Sequence, residues 1–535
     1  MPTYPSFDAK GRLGFTDTPT MKYRQQGEGV TPTTNANLAL TVSTSGQIAP
    51  AFLKGVVTGA AQILVNANSL TLIWPTTSAF VMYAVMRQRG GREFYLRDFV
   101  GVGTYTDQTL PDGEAANYRV FGISNSATWT LIATLGSAQQ PRTYKSPVTL
   151  SQGQAITGNY ASADPSVPAI IIPAGVTNYS VTNARVKHAG DGILANSGSD
   201  GLISNLIGFG VHPGVANSSH GKLINAQKPA GITVEYVDSE AASFVLYVNG
   251  QSTSSVQRIV LRKWRATGMQ CLKTNANGTY QLVRGAVGHA FQADHCFSVP
   301  VYDVEDGEVL TEPGVGLIED PINNYVSSGL STRKYNIRRL CIFGLWPITK
   351  GADPNTDPGF NAGCGIISDG AQPDSDDSKH GNGLITQNLL LATGNAGIGV
   401  GNGNDQEVSF NKVVCSGQYP DGTVNRGTNV GIYVNAYSGG TVKRTYLHDN
   451  QSMCWDRPGS RNKNPGDGYN YNNAYDVGGT DTVVGSGATA NTTLGGMDAS
   501  AAVAKYAQEV LEHNAWHAAR YQAGTVIGAV SANLS

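Results

Sequence analysis

A degenerate repeat runs through the last two-thirds of the chain, and its period leaves few folds open. A Gly-Ile unit set among small residues recurs at 189–194 (AGDGIL), 362–367 (AGCGII), 395–400 (NAGIGV) and 429–434 (NVGIYV). Beside it recurs an alternating strand ending in Asn: Val181-Thr182-Asn183, Ile203-Ser204-Asn205, Ile385-Thr386-Gln387-Asn388 and Val408-Ser409-Phe410-Asn411. Asn183 to Asn205 is 22 positions and Asn388 to Asn411 is 23. Short β-branched strands and small-residue turns repeating about every 22 residues predict the coils of a right-handed parallel β-helix, a solenoid.

Composition agrees and excludes other classes. Glycine is abundant (65 of 535 residues), charged residues are sparse (14%), and the apolar fraction of 40% builds a large core. No stretch reaches the roughly 18 apolar residues of a membrane helix, so no membrane insertion is expected. A net charge of -2 offers phosphates no basic field, and no nucleic-acid partner is expected. The six cysteines (Cys271, Cys296, Cys341, Cys364, Cys415, Cys454) form no CxxC pair. They are predicted to be buried free thiols, with no metal and no cofactor. The N-terminal MPTYPSFDAK lacks the basic start and apolar run of a secretory signal, which predicts export by another route.

Four regions separate. Residues 1–52, rich in Thr, Ser, Asn, Gly and Pro, read as an arm that orders against a partner. Residues 53–138 carry short alternating strands, with Leu70, Leu72 and Trp74 on one face and Tyr118 following the turn at Pro111-Asp112-Gly113. An early strand Trp and a Tyr after a Leu-Pro turn resemble a fibronectin type III module, which implies a β-sandwich with a tyrosine corner, used as a spacer. Residues 139–490 hold the coils, with 168–176 as the lead-in strand, first full coils from 179 to 211, and long excursions at 301–335 and 346–381. Residues 491–535 contain a helix from Asp498 onward, with Val503, Tyr506, Val510, His513 and Trp516 or His517 at helical steps; it is expected to cap the coil end or form an oligomer interface.

A glycosidic bond is hydrolysed by two carboxylates facing one sugar. Asp303, Glu305 and Asp306, in YDVEDGE, form the densest such group, with Glu305 as acid and Asp303 or Asp306 as base or nucleophile. A second group, DSDDSKHG at 374–381, resembles the paired Asp and His-Gly of polygalacturonases but with the wrong spacing, and reads as a solvated or cation-holding loop. A lyase needs a base and a cation, for which Arg338, Arg339, Lys334 and His295 with Asp294 are available. Sugars stack on aromatic faces with polar neighbours. That points to Tyr325, Trp346, Tyr419, Trp455, Arg457, Tyr469, Tyr471 and Tyr475 as glycan contacts.

Taken together, a Thr/Ser-rich arm, a sandwich and Gly-Asp-Gly-Ile coils without a leader resemble a bacteriophage tailspike of the pectate-lyase-like β-helix superfamily. The resemblance implies a homotrimer made in the host cytoplasm and carried on the virion through the N-terminal arm. Its partner would be a host surface polysaccharide, which it binds and depolymerises, as a glycoside hydrolase rather than a lyase. The alternatives are a non-catalytic adhesion spike on tail or capsid, and a secreted polysaccharide lyase.

Overall fold

The computed structural model describes residues 61–89, 95–126, 128–253, 255–275, 280–284, 288–313, 318–346, 363–370, 379–423, 425, 427–436, 441–454, 475–478, 481–494 and 502–529. The chain divides into two compact units, residues 1–143 with 510–525 and 535, and residues 144–509 with 526–534. The arm expected at 1–52 lies outside the described residues.

In the second unit every coil adds one rung to each of two parallel sheets. The first sheet stacks short strands such as Ile193–Ala195, Phe291–Cys296, Ile322–Tyr325, Cys364–Asp369, Ala396–Val400 and Val430–Val434. Pairing sets Ile170, Ile193, Ile224, Leu246, Phe291, Ile322, Ile366, Ile398 and Ile432 in one inward column, every member fully buried. All four Gly-Ile units of the sequence therefore place their isoleucine in the same stack. Glycine precedes it because the rungs touch there: a Cβ on Gly397 would sit 2.6 Å from the carbonyl oxygen of Gly431.

The second sheet has its own inward column: Val181, Ile203, Val234, Leu261, Val304, Ile337, Ile385, Val408 and Leu447. Each of its rungs bends at one left-handed residue, in register through nine coils: Asn183, Asn205, Tyr236, Lys263, Asp306, Arg339, Gln387, Phe410 and Asp449, with φ between 50° and 59°. The repeated Asn of the sequence thus occupies two different places. Asn183 and Asn205 are the bend itself, joined by Asn205 Nδ2 to Asn183 Oδ1 at 2.7 Å. Asn388 and Asn411 follow the bend and point inward, continuing through Asn450 to Asn491 as a buried amide ladder of 2.8–3.0 Å bonds.

Three expectations need correction. The coils begin one turn before the lead-in strand, since Val148–Thr149 and Ala155–Ser162 already pair with the next rungs. Residues 301–310 are not an excursion but the ten-residue strand Val301–Leu310, whose outward acids mask an inward Tyr302 and Val304. The helix, Ala502–Gln522, starts beside coil turns and not over the coil end: Tyr506 packs 5.9 Å from Phe343, and Glu509 accepts the Ser416 N–H at 2.5 Å. All six cysteines are free and buried.

The first unit is a β-sandwich. Gln62–Val65, Leu70–Ile73 and Thr104–Asp107 form one antiparallel sheet, and Tyr95–Val100, Met82–Arg89, Ala115–Ile123 and Trp129–Ala138 the other. Leu70, Leu72 and Trp74 from one side meet Tyr83, Val85, Tyr118 and Val120 from the other. The unit runs past residue 138, because Gln139 donates to Ala67 O and Arg142 to Leu110 O, Gln108 O and the Asp112 carboxylate. The Tyr118 hydroxyl does not make a corner bond to upstream backbone; it donates to the Asp107 carboxylate at 2.6 Å.

Candidate functional site

The two sheets present opposite chemistry outward. On the second, one column reads Glu235, Arg262, Glu305, Arg338, with signs alternating rung by rung. Arg262 binds Glu235 at 2.7 Å, Arg338 binds Glu305 at 2.7 Å, and Arg339 spans Glu305 (2.6 Å) and Asp306 (2.8 Å). Asp303 accepts from Arg333 at 3.0 Å and from Asn336 at 2.7 Å. Asp303 and Glu305 do share one face of one strand, as the sequence suggested. Asp306 departs from it, since it is the left-handed bend residue. All three carboxylates, and the Arg338, Arg339 and Lys334 named for lyase chemistry, are partners in this ion-pair ladder, Lys334 through Glu407 at 3.3 Å.

Outward residues of the first sheet are amides, aromatics and acids. Pairing aligns Asn225, Tyr247, Gln292, Asn323 and Ile367 in one column, and Gln227, Asn249, Asp294, Tyr325 and Asp369 in the next. Here the Tyr247 hydroxyl donates to Asp294 at 2.6 Å, and the other Asp294 oxygen meets His295 Nδ1 at 2.5 Å. The Asn249 amide donates to the Tyr247 oxygen at 3.2 Å. The His295 ring stands 5.6 Å from Tyr325 and 6.1 Å from Phe297. Lys222 holds its ammonium 5.4 Å from the Phe244 ring centre and 5.1 Å from that of Tyr247.

Local backbone explains the arrangement. The rungs bearing Asp294, Tyr325 and Asp369 each end in a left-handed residue, His295 (φ 53°), Val326 (φ 44°) and Gly370 (φ 111°). That bend turns the His295 ring back beside Asp294. Gly250 lets the backbone approach, since a Cβ there would lie 2.3 Å from the His295 carbonyl oxygen. Behind the wall the normally apolar interior turns polar: Tyr302 donates to Asn324 (2.8 Å), Tyr335 to Gln406 (2.7 Å), and Gln406 to Ser368 (3.1 Å). His380 Nε2 lies 3.1 Å from Ser368 Oγ, and burial pushes its imidazole down to about 3, so it is neutral. Asn324 and Ser368 directly precede Tyr325 and Asp369, so this network holds both strands from inside.

Burial raises the Asp369 carboxyl above its ordinary range, opposed only in part by the Gly370 N–H. Burial, followed by the bond to Asp294, raises the Tyr247 phenol. A carboxyl biased toward its acid form and a second carboxylate in a hydrogen-bonded triad, on one column of one face, is a pair that acid–base chemistry uses.

Of the glycan contacts expected from sequence, Tyr325 belongs to this wall. Trp346 and Tyr419 do not: they stack on each other at 5.1 Å, are 2% and 0% exposed, and Trp346 donates to Thr311 O, so neither ring is open to a sugar. Tyr475 is half-buried and donates to Asn450 O and Thr492 O at 2.9 Å, tying the last rungs together. Trp455, Arg457, Tyr469 and Tyr471, and residues 371–378 of the second acidic group, lie outside the described residues. Sequence reasoning named Asp294 and His295 only for a lyase and missed Tyr247, Asn249, Gln292 and Asp369. Their signal is the rung pattern LYVN, FQAD, INNY, IISD, where second and fourth residues face out.

No protein-family model matches the chain, and no curated protein matches it. Among solved structures it is similar to pectate lyase PelI of Erwinia chrysanthemi in complex with tetragalacturonic acid, at 10% identity over 79% of this chain and 99% of that one, TM-score 0.17. It is also similar to pectate lyase Pel3 of Pectobacterium carotovorum (11%, 79% and 99%, TM-score 0.17). A third is the family 28 exopolygalacturonase of Yersinia enterocolitica (7%, 82% and 99%, TM-score 0.21). Scores this low carry no argument, and the parallel β-helix stands on this chain's own strand pairing.

Proposed function

We propose that this chain is a bacteriophage spike that lays a bacterial surface polysaccharide along the first sheet and hydrolyses it there. The observation that carries the reading is the outward first-sheet wall, where Tyr247, Asp294, His295, Tyr325 and Asp369 meet on successive rungs. Amides and aromatics at rung spacing suit a polymer of pyranose rings, one face stacking while its hydroxyls are read.

In this reading Asp369, whose carboxyl burial biases toward its acid form, is the general acid for the leaving oxygen. Asp294, oriented by Tyr247 and His295, is the base that activates water. Two rungs separate their backbones by about 9.5 Å. That spacing suits the roughly 6.5–9.5 Å between carboxyl groups of inverting hydrolases, which leaves room for water. Activity is expected to fall as pH rises through the elevated Asp369 value, because the acid then loses its proton. Six free thiols suit a chain that folds in a reducing cytoplasm before lysis releases it. The sandwich, of fibronectin type III kind, serves as a spacer, the 1–52 arm as virion attachment, and the assembled spike as a homotrimer.

The test is turnover of purified host polysaccharide. Asp294→Asn and Asp369→Asn are each expected to lower it by about 10²–10⁴-fold while binding is retained. Asp303→Asn and Glu305→Gln are expected to leave it within about threefold, since they loosen only the part-buried ion-pair ladder of the other sheet. The reverse pattern moves the site to the second sheet. No turnover in the parent chain leaves an adhesion spike.

A further inference from the structure

The column of left-handed bend residues holds one exposed aromatic ring, Phe410. Asn183, Asn205 and Asp449 are residue types that tolerate this conformation, and Tyr236 is engaged by Lys263, whose ammonium donates to its hydroxyl at 2.6 Å. Phe410 is different. Its φ is 55°, yet it is 56% exposed, so a bulky ring takes an unfavoured backbone and gains little burial in return. Stored strain of that kind is kept when the side chain serves something outside the chain.

What surrounds Phe410 shows what that is. Its ring meets His448 edge-on at 5.7 Å, and His448, itself 8% exposed, stacks on Tyr446 at 4.0 Å, so these two rings brace Phe410 from below on the second sheet and leave its ring as the open one. Polar groups rim it. His448 Nδ1 lies 2.7 Å from Asp449, His448 Nε2 lies 3.5 Å from Glu407, and Lys334 pairs with Glu407 at 3.3 Å. Arg444 and Asp405 close one edge at 2.7 Å. Three carboxylates, Asp405, Glu407 and Asp449, face two permanent cations, Lys334 and Arg444, so the rim offers hydrogen-bonding groups beside the Phe410 ring with no cationic excess.

We propose that the exposed Phe410 ring, braced by His448 and Tyr446, is the stacking face of a second, non-catalytic saccharide site for an uncharged hexopyranose unit, on a different sheet from the wall of the proposed function. A rim without a cationic excess argues against an anionic sugar, and a flat ring flanked by hydroxyl-reading groups is what a pyranose face requires. The proposal rests on the glycan reading only for its biological use, because the site is defined by its own residues. On a spike such a site holds the polymer while the wall acts on it, so the two raise avidity together.

The substitution that tests it is Phe410→Asn, which places a residue favoured by this backbone. Binding of methyl glucoside, methyl galactoside, methyl mannoside and N-acetylglucosamine is followed by saturation-transfer NMR on the full chain. The expected result is that at least one sugar binds the parent, that Phe410→Asn weakens it at least fivefold, and that the thermal midpoint of the variant is equal or higher. A structural role would instead lower that midpoint. Tyr325→Ala, which removes an aromatic face of the wall, is the companion: a sugar lost with Tyr325→Ala but kept with Phe410→Asn belongs to the wall and overturns the second site. Binding of no probe by the parent, or all probes unchanged in Phe410→Asn, overturns it as well. Loss in Phe410→Asn alone supports it even where the wall shows no turnover.

Discussion

Individual residues in this protein are decided by which sheet face they meet. Asp107 shows how far that reaches. It is buried in the sandwich, which by itself would raise its carboxyl, but Arg87 at 2.8 Å, the Tyr118 hydroxyl at 2.6 Å and the Thr109 N–H at 2.8 Å hold it down at about 2. Its folded value lies below the ordinary 3.8, so the stability it contributes is complete above about pH 4 and lost as pH falls toward 2. Asp107→Asn takes a buried carboxylate from beside Arg87 and Tyr118 and is expected to cost about 3–5 kcal/mol. Calorimetry of the full chain should show an earlier transition, with the acid dependence below about pH 4 flattened. Sequence reading placed Tyr118 correctly in the sandwich core but gave its hydroxyl the wrong partner. A bond between Tyr118 and Asp107 crosses from one sheet to the other, and strand spacing along the chain contains no information about it.

At the scale of elements, the coil is an alternation of apolar stacks and one polar ladder. The position after the bend is filled by Ala184, Leu206, Val237 and Trp264 in early coils and by Asn388, Asn411, Asn450 and Asn491 in late ones. Asn411 Oδ1 accepts both the N–H and the Nδ2 of Asn388, at 3.1 and 2.9 Å, while its own Nδ2 reaches Ile385 O and Asn450 Oδ1. Asn411→Leu fits the shape of the stack but takes the Asn411 acceptor from the buried Asn388 N–H, while the Asn388 Nδ2 keeps Ile337 O. The cost expected is about 2–4 kcal/mol, read as a lower urea midpoint, whereas Asn183→Leu should fail through the bend conformation. The strands, their Gly-Ile starts and the Asn positions were all readable, because period and β-branching are local properties. Which Asn bends and which points inward was not, since the two differ by one place in register and every side chain changes face at that step.

At the scale of the whole molecule, the helix and the coils are joined through a buried acid. Glu509 accepts the Ser416 N–H, and burial, with Cys415 beside it, raises its carboxyl well above the ordinary range. A carboxyl raised on folding keeps its proton in the native state, so stability is expected to fall as pH climbs from about 4.5 toward that elevated value. Glu509→Gln keeps an acceptor for Ser416 without the charge. It should raise the urea midpoint at about pH 8 and converge with the parent near pH 4, and equal midpoints at both would show that Glu509 is solvated. The amino-acid sequence by itself determined the parallel β-helix, the sandwich before it and the helix after it, because periodicity, β-branched runs and helical spacing act over neighbouring residues. Only the tertiary structure decided where chemistry is offered. Asp303 and Glu305 share a strand but are held in ion pairs by Arg333, Arg338 and Arg339, whereas Asp294 and Asp369 lie 75 positions apart in the chain and two rungs apart in space. Stacking of coils sets that proximity, with loops of unequal length between rungs, so no interval read along the chain could have paired them.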